Sequence, residues 1–109
     1  MIKITIYRDS ERNYKEIKVS GHADHSEFGT DIVCSSISVL MINTINAVEA
    51  FTEDKFIVDS EENAGLIDFK LMRRPSKETA LLLDTLVLGV TDIAREYGTD
   101  FVKVIFKEV

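Results

Sequence analysis

The sequence predicts a single-domain α+β sandwich over residues 1–109, a five-stranded sheet with two long helices in the order ββαββαβ. Two periodicities carry that reading: apolar residues alternate with polar ones in three short runs, with two further short strand-like runs around a turn, and recur every three to four residues in two long ones. Size is the third observation. A chain of 109 residues with 5 Gly and 1 Pro is one domain's length, without a linker-like stretch or an internal repeat. Every apolar stripe must be covered, so the helices pack on the sheet in two or three layers.

Ile2, Ile4 and Ile6 alternate with Lys3, Thr5 and Tyr7, the pattern of a strand with one buried side. A polar cluster from Asp9 to Asn13 separates it from a second alternating run, in which Ile17 and Val19 interleave with Glu16, Lys18 and Ser20, so the two form a hairpin. Residues 21–30 lose periodicity and read as a loop, with Gly21 and Gly29 as its hinges. From Asp31, a plausible N-cap, the spacing becomes helical: Val33, Ile37, Leu40, Met41, Ile45 and Val48 share a side, and the helix runs to about Phe51. Two short strands follow, from Phe56 to Asp59 and from Leu66 to Leu71, around the turn-forming Glu61-Glu62-Asn63-Ala64-Gly65. Arg73-Arg74-Pro75-Ser76 interrupts, and Ser76 caps a second helix whose Leu82, Leu83, Leu86, Val87, Val90, Ile93, Ala94 and Tyr97 share a side, with Gly98 as its stop. Val102, Val104 and Phe106 close the chain as a fifth strand. Leu81 and Leu88 lie off the inner side of the second helix, seven apart, and suggest a partner surface, although single exposed leucines are also ordinary.

Charge narrows the function. With 13 basic and 19 acidic side chains the formal net charge is -6, which argues against broad nucleic-acid binding and favours a basic peptide partner. Cys34 is the only cysteine, so an intrachain disulfide is excluded and a reducing, intracellular setting is the simplest reading. The opening MIKITIYRDS lacks the basic start and long apolar run of a signal peptide. The run from Leu81 to Val90, read as the most apolar stretch, is broken by Asp84 and falls short of the roughly 20 residues of a membrane span. A cytoplasmic protein without a membrane association is expected.

His22 and His25 both lie within twelve residues of Cys34. With Asp31 as N-cap, Cys34 is the third helical residue, where unpaired N–H groups and the helix dipole favour a thiolate, the nucleophilic form of cysteine. The same residues allow plainer readings. A cysteine following Ile32-Val33 is often a small buried hydrophobe, and histidines on a loop are often solvated. His22, His25 and Cys34 also admit a metal site, though three candidate ligands are a weak signal. Asp31 can be a cap alone, and Ser35, Ser36 and Ser38 helix-start residues alone.

Gly21-His22-Ala23, a gap of five residues, and Gly29-Thr30-Asp31-Ile32-Val33-Cys34-Ser35-Ser36-Ile37-Ser38 together resemble the signature of the ribosomal-processing cysteine proteases of Firmicutes and related bacteria, the Prp family. Length and element order are similar throughout; Ser35-Ser36 departs from the small apolar pair usual after the family's cysteine. The resemblance implies a cysteine endopeptidase, homodimeric and without cofactor, that removes a short N-terminal extension from the twenty-seventh protein of the large ribosomal subunit, cutting after aromatic residues. It makes Cys34 the nucleophile, His22 the general base and Asp31 a supporting acidic position, while His25 matches no fixed family position. In such a reaction the first N–H groups of the helix, near Cys34 and Ser35, would hold the oxyanion, with Ser35 and Ser38 as oxyanion or substrate contacts. The rivals are a His/Cys metal-binding protein and a non-catalytic ribosome-associated module that grips a basic peptide.

Overall fold

Strand β1 (Ile2–Arg8) buries Ile2, Ile4 and Ile6 on one side, as its alternation requires. The computed structural model that shows this describes residues 1–21, 28–98 and 100–109, with residues 28–31 described by their backbone. Antiparallel β2 (Tyr14–Ser20) flanks β1 on one edge and parallel β5 (Val102–Glu108) on the other. β3 (Phe56–Glu61) and β4 (Leu66–Leu71) make the second hairpin, and β4 joins β2, giving the order β3-β4-β2-β1-β5.

The register sets Ile4 beside Val19 and Val104, and Ile17 beside Phe69, so the apolar residues of neighbouring strands share one face. Helices α1 (Phe28–Phe51) and α2 (Lys77–Tyr97) both cover that face. Val33, Ile37, Met41 and Val48 from α1 and Leu83, Leu86 and Val90 from α2 join the strand residues in a single core. The sandwich therefore has two layers, and Thr5, Glu16, Lys18 and Lys70 occupy the uncovered face of the sheet.

The start of α2 is as the sequence suggests. Ser76 is the N-cap, its hydroxyl accepting from the Thr79 N–H at 3.2 Å, and Asp54 in turn accepts from the Ser76 N–H at 2.9 Å and Oγ at 2.7 Å. Those hydrogen bonds hold the Asp54 carboxyl below its ordinary pKa, the Thr79 and Ser76 side chains contributing most. Thr79 Oγ1 donates to Thr52 Oγ1 at 3.2 Å, tying the end of α1 to the start of α2. Gly98 ends α2 with φ 87 and donates its N–H to the Ala94 carbonyl at 2.9 Å.

Four details differ from the sequence reading. α1 starts at Phe28, so Asp31 is its fourth residue rather than its N-cap, and Gly29 lies within the helix rather than at a loop boundary. Packing against the sheet outweighs the roughly 1 kcal/mol that glycine costs a helix. Among the described residues the Ile32–Phe51 segment of α1, rather than the run from Leu81 to Val90, is long and apolar enough to cross a membrane by length and composition. Its inner residues build the core, and its outer side carries Val39, Ile42, Asn43 and Asn46, leaving it almost without charge. Phe106 and Tyr97, expected inside, are 53% and 38% exposed, because they sit at the open margins of β5 and α2.

Candidate active site around Cys34

The core stops short where α1 passes the β3–β4 turn. A cavity of about 400 Å³ opens there, walled by Cys34, Ile37, Ser38 and Ile42 of α1 on one side and by Ser60, Glu61, Glu62, Gly65, Leu66 and Ile67 of the hairpin on the other. Ile2, Val19 and Gly21 complete it from the sheet. Cys34 is a free, half-buried thiol packed against the core, with one side open to this space.

Two glycines shape the walls. Gly21 has φ 93, donates its N–H to the Ala64 carbonyl at 3.2 Å, and lies so close to Met1 that a Cβ would stand 2.3 Å from the Met1 oxygen. The residue before His22 is therefore a pinned corner between the hairpin turn and the N-terminus, not the free hinge that the sequence suggests. Gly65, with φ 60, closes the turn by donating to the Glu62 carbonyl at 3.1 Å, which carries Glu61 and Glu62 to the cavity rim.

Counting from Phe28, Cys34 is the seventh helical residue, a full turn further in than the sequence reading put it. The N–H groups that lack a partner within the helix are those of residues 28–31, and those of Cys34 and Ser35 fall within reach of carbonyls four residues earlier. The dipole effect fades beyond the first turn, and the N–H groups of Cys34 and Ser35 lie within the hydrogen-bonded part of the helix rather than at its start, where an oxyanion would be held. Ser38 lines the cavity, Ser35 is exposed and not part of its lining, and Ser36 spends its hydroxyl on the Ile32 carbonyl at 2.7 Å. His22 and His25 lie outside the described residues, as does the Asp31 side chain. Among the described residues no three His, Cys, Asp or Glu side chains converge as metal ligands.

Glu61 and Glu62 are the site residues that the sequence reading did not single out. As part of a turn-forming run they carry no local sign of proximity to a thiol some thirty positions earlier; the pairing of β4 with β2, which joins the hairpin to the sheet that α1 covers, brings them there. A different acidic pair lies on the uncovered face of the sheet. Burial there, with a hydrogen bond to Asp68 and the repulsion of its charge, lifts the Glu16 carboxyl to about 7, against the pull of Lys70 and Lys18. Lys70 stands 3.8 Å from Asp68.

A single thiol on a helix beside an apolar cleft, open at one side and rimmed by acids, suits a hydrolase that takes an extended polypeptide by covalent catalysis. The family model for cysteine protease Prp matches residues 1–102. The chain is 29% identical over 98 residues to the ribosomal processing cysteine protease Prp of Staphylococcus aureus (strain Mu50 / ATCC 700699), covering 90% of this chain and 92% of that one. Its fold superposes on a crystal structure of the S. aureus protease Prp in complex with a substrate peptide, with TM-score 0.90, 25% identity and coverage of 98% and 100%. A second S. aureus structure, with a covalently linked product peptide, matches with TM-score 0.89, 27% identity and the same coverage. The protein is a cysteine protease. It belongs to the Prp family of ribosomal processing proteases.

Proposed function

We propose that this chain removes a short N-terminal extension from the precursor of the twenty-seventh protein of the large ribosomal subunit, cutting after aromatic residues, in the cytoplasm and as a homodimer. The observation that carries the reading is the free Cys34 thiol in a cleft large enough for peptide side chains, on a chain matched by the family model over residues 1–102. The S. aureus relatives bound to a substrate peptide and to a covalently linked product peptide support it.

The reaction is acyl transfer. His22 takes the Cys34 proton, and the thiolate attacks the scissile carbonyl to form a tetrahedral oxyanion. Collapse breaks the C–N bond as His22 protonates the leaving amine, and water, activated by the same imidazole, releases the acyl group from sulfur. No metal or organic cofactor is required. Asp31 serves as a supporting acidic position, and Ser38 has the better access to substrate of the two candidate serines. Glu61 and Glu62 place part of the net charge of -6 at the cleft, which favours a basic ribosomal tail. The exposure of Leu81 and Leu88, 67% and 63%, supports a second copy on the outer side of α2.

The deciding experiment incubates purified protein with the extended precursor and weighs the products by mass spectrometry. Two fragments summing to the precursor plus one water are expected, and none from Cys34→Ala. A precursor bound but left whole by the unaltered protein would make this a peptide-binding module instead.

A further inference from the structure

The net charge of -6 is unevenly spread. Glu49, Glu53, Asp54, Asp59, Glu61 and Glu62, against Lys55 alone, crowd the end of α1 and the β3–β4 hairpin. At the opposite edge of the sheet parallel pairing sets Lys3 beside Lys103, Thr5 beside Ile105 and Tyr7 beside Lys107. Ile2, Ile4, Ile6 and Val102 point into the core, so by alternation these residues stand on the side that the helices leave uncovered.

That margin carries positive charge without an answer from within the fold. Lys3, Lys103 and Lys107 are exposed, and among the described residues none of them has an ion-pair partner. Side by side on neighbouring strands, Lys3 and Lys103 repel each other. Further in, on β2 and β4, the charges neutralise one another: Glu16 is in register with Lys70 and Lys18 with Asp68, and Lys70 Nζ stands 3.8 Å from Asp68. The unmatched lysines are therefore those of β1 and β5. Among them lie Thr5 and Tyr7, half-buried, whose hydroxyls make no hydrogen bond among the described residues.

We propose that the uncovered face of β1 and β5 binds single-stranded RNA, with Lys3, Lys103 and Lys107 on phosphates and Tyr7 stacked on a base. Charge complementarity names an anionic partner, since each unpaired lysine that meets a phosphate releases a counterion. Tyr7 and the two free hydroxyls narrow it to RNA. An aromatic ring on an open sheet offers a stacking surface to an unpaired base, and the hydroxyls offer partners to the ribose 2′-OH, which DNA lacks. An acidic protein would answer the lysines but bring no base to Tyr7. The surrounding acids keep such binding local and sensitive to salt. Because the Cys34 cavity opens on the helix side of the sheet, RNA and polypeptide occupy different faces.

The test is fluorescence anisotropy of a labelled, unstructured RNA of about ten nucleotides, titrated with the full chain at several salt concentrations. Binding is expected at low salt, with log K falling against log salt at a slope of about −2, or about 0.7 for each of three phosphates. Lys103→Gln with Lys107→Gln should reduce the slope to about −0.7. Tyr7→Leu should weaken binding about tenfold, whereas Tyr7→Phe, which keeps the ring, should stay within about twofold. A DNA strand of the same sequence should bind more weakly. The two-lysine variant and Tyr7→Phe should melt and cleave peptide as the unaltered protein does, so a fold lost in Tyr7→Leu leaves the test standing. No RNA binding at low salt would overturn the inference, as would equal affinity for the DNA strand. So would an oligoglutamate of the same charge that binds as tightly as the RNA and loses nothing in Tyr7→Leu, since the partner would then be an acidic protein. RNA binding is read without peptide, so its failure leaves the protease reading intact.

Discussion

The Tyr14 hydroxyl donates a hydrogen bond of 2.5 Å to the Asp84 carboxylate, joining β2 to α2. The ring is 4% exposed, within the core, so its hydroxyl needs an internal partner, and Asp84, the one charge in the apolar run of α2, supplies it. On the sheet side the Arg8 guanidinium lies 4.9 Å from the Tyr14 ring centre and 5.1 Å from that of Phe106, so one cation covers the margin where β5 leaves the helices.

Tyr14→Phe should therefore destabilise the fold by about 1.5–3 kcal/mol, the range for a hydrogen bond to a charged acceptor, read from urea unfolding. Burial, with the bond and charge of Asp84, lifts the hydroxyl to about 12. Absorbance titration should show one of the three tyrosines ionising near that value, and the variant should lose that component.

Glu16 makes stability depend on pH in the opposite sense to most carboxylates. Its folded pKa of about 7 lies above the ordinary 4.5, so the folded state holds an extra proton between them, and stability falls as pH rises from about 4.5 to 7. Solvent around the carboxyl limits the effect to on the order of 1 kcal/mol. The lowered pKa values of Asp9 and Asp54 act below this window. Thermal melts across the window should slope less in Glu16→Gln than in the unaltered protein.

Gly21→Ala must relieve a Cβ contact of 2.3 Å with backbone oxygen at a positive φ. A loss of about 1–3 kcal/mol is expected, the range for local backbone strain. Since His22 follows directly, kcat should fall together with stability. A variant with unaltered melting temperature and activity would show that the corner yields freely.

Cys34→Ser and Cys34→Ala should each lower precursor cleavage at least about a thousandfold, and His22→Ala likewise, since nucleophile and base act as a unit. His25→Ala should stay largely active. Cys34→Ser keeps the shape of the site and should still bind the precursor, which a pull-down can check.

If acidic side chains steer the substrate, kcat/KM for a basic precursor should fall as ionic strength rises, because exposed charges are screened beyond about 10 Å at 0.1 M. Glu61→Gln with Glu62→Gln should flatten that dependence. Identical salt profiles would remove the hairpin acids from the account.

How much was legible follows the range of each interaction. Ile2-Ile4-Ile6, the stripe Leu83-Leu86-Val90 and the Ser76 and Gly98 caps depend on neighbours a few positions away, so periodicity and capping chemistry foretold them. The start of α1 was misplaced because Asp31 is a good N-cap by local chemistry, whereas the helix extends back to Phe28 through Gly29, a step against local propensity. At the site, Cys34 and the Gly-His-Ala run stood out by residue type and spacing, but Glu61 and Glu62 did not.

By itself the sequence determined the seven elements, their order, the inward side of β1, β2, α1, α2 and β5 and the one thiol available for chemistry, because these need only the period of the chain and the nature of its side chains. The tertiary structure decided that both helices lie on one face, that the β3–β4 turn meets α1 at Cys34, and that the edge strand stays uncovered. Those outcomes depend on strand pairing between segments far apart in the chain, whose register no local pattern contains.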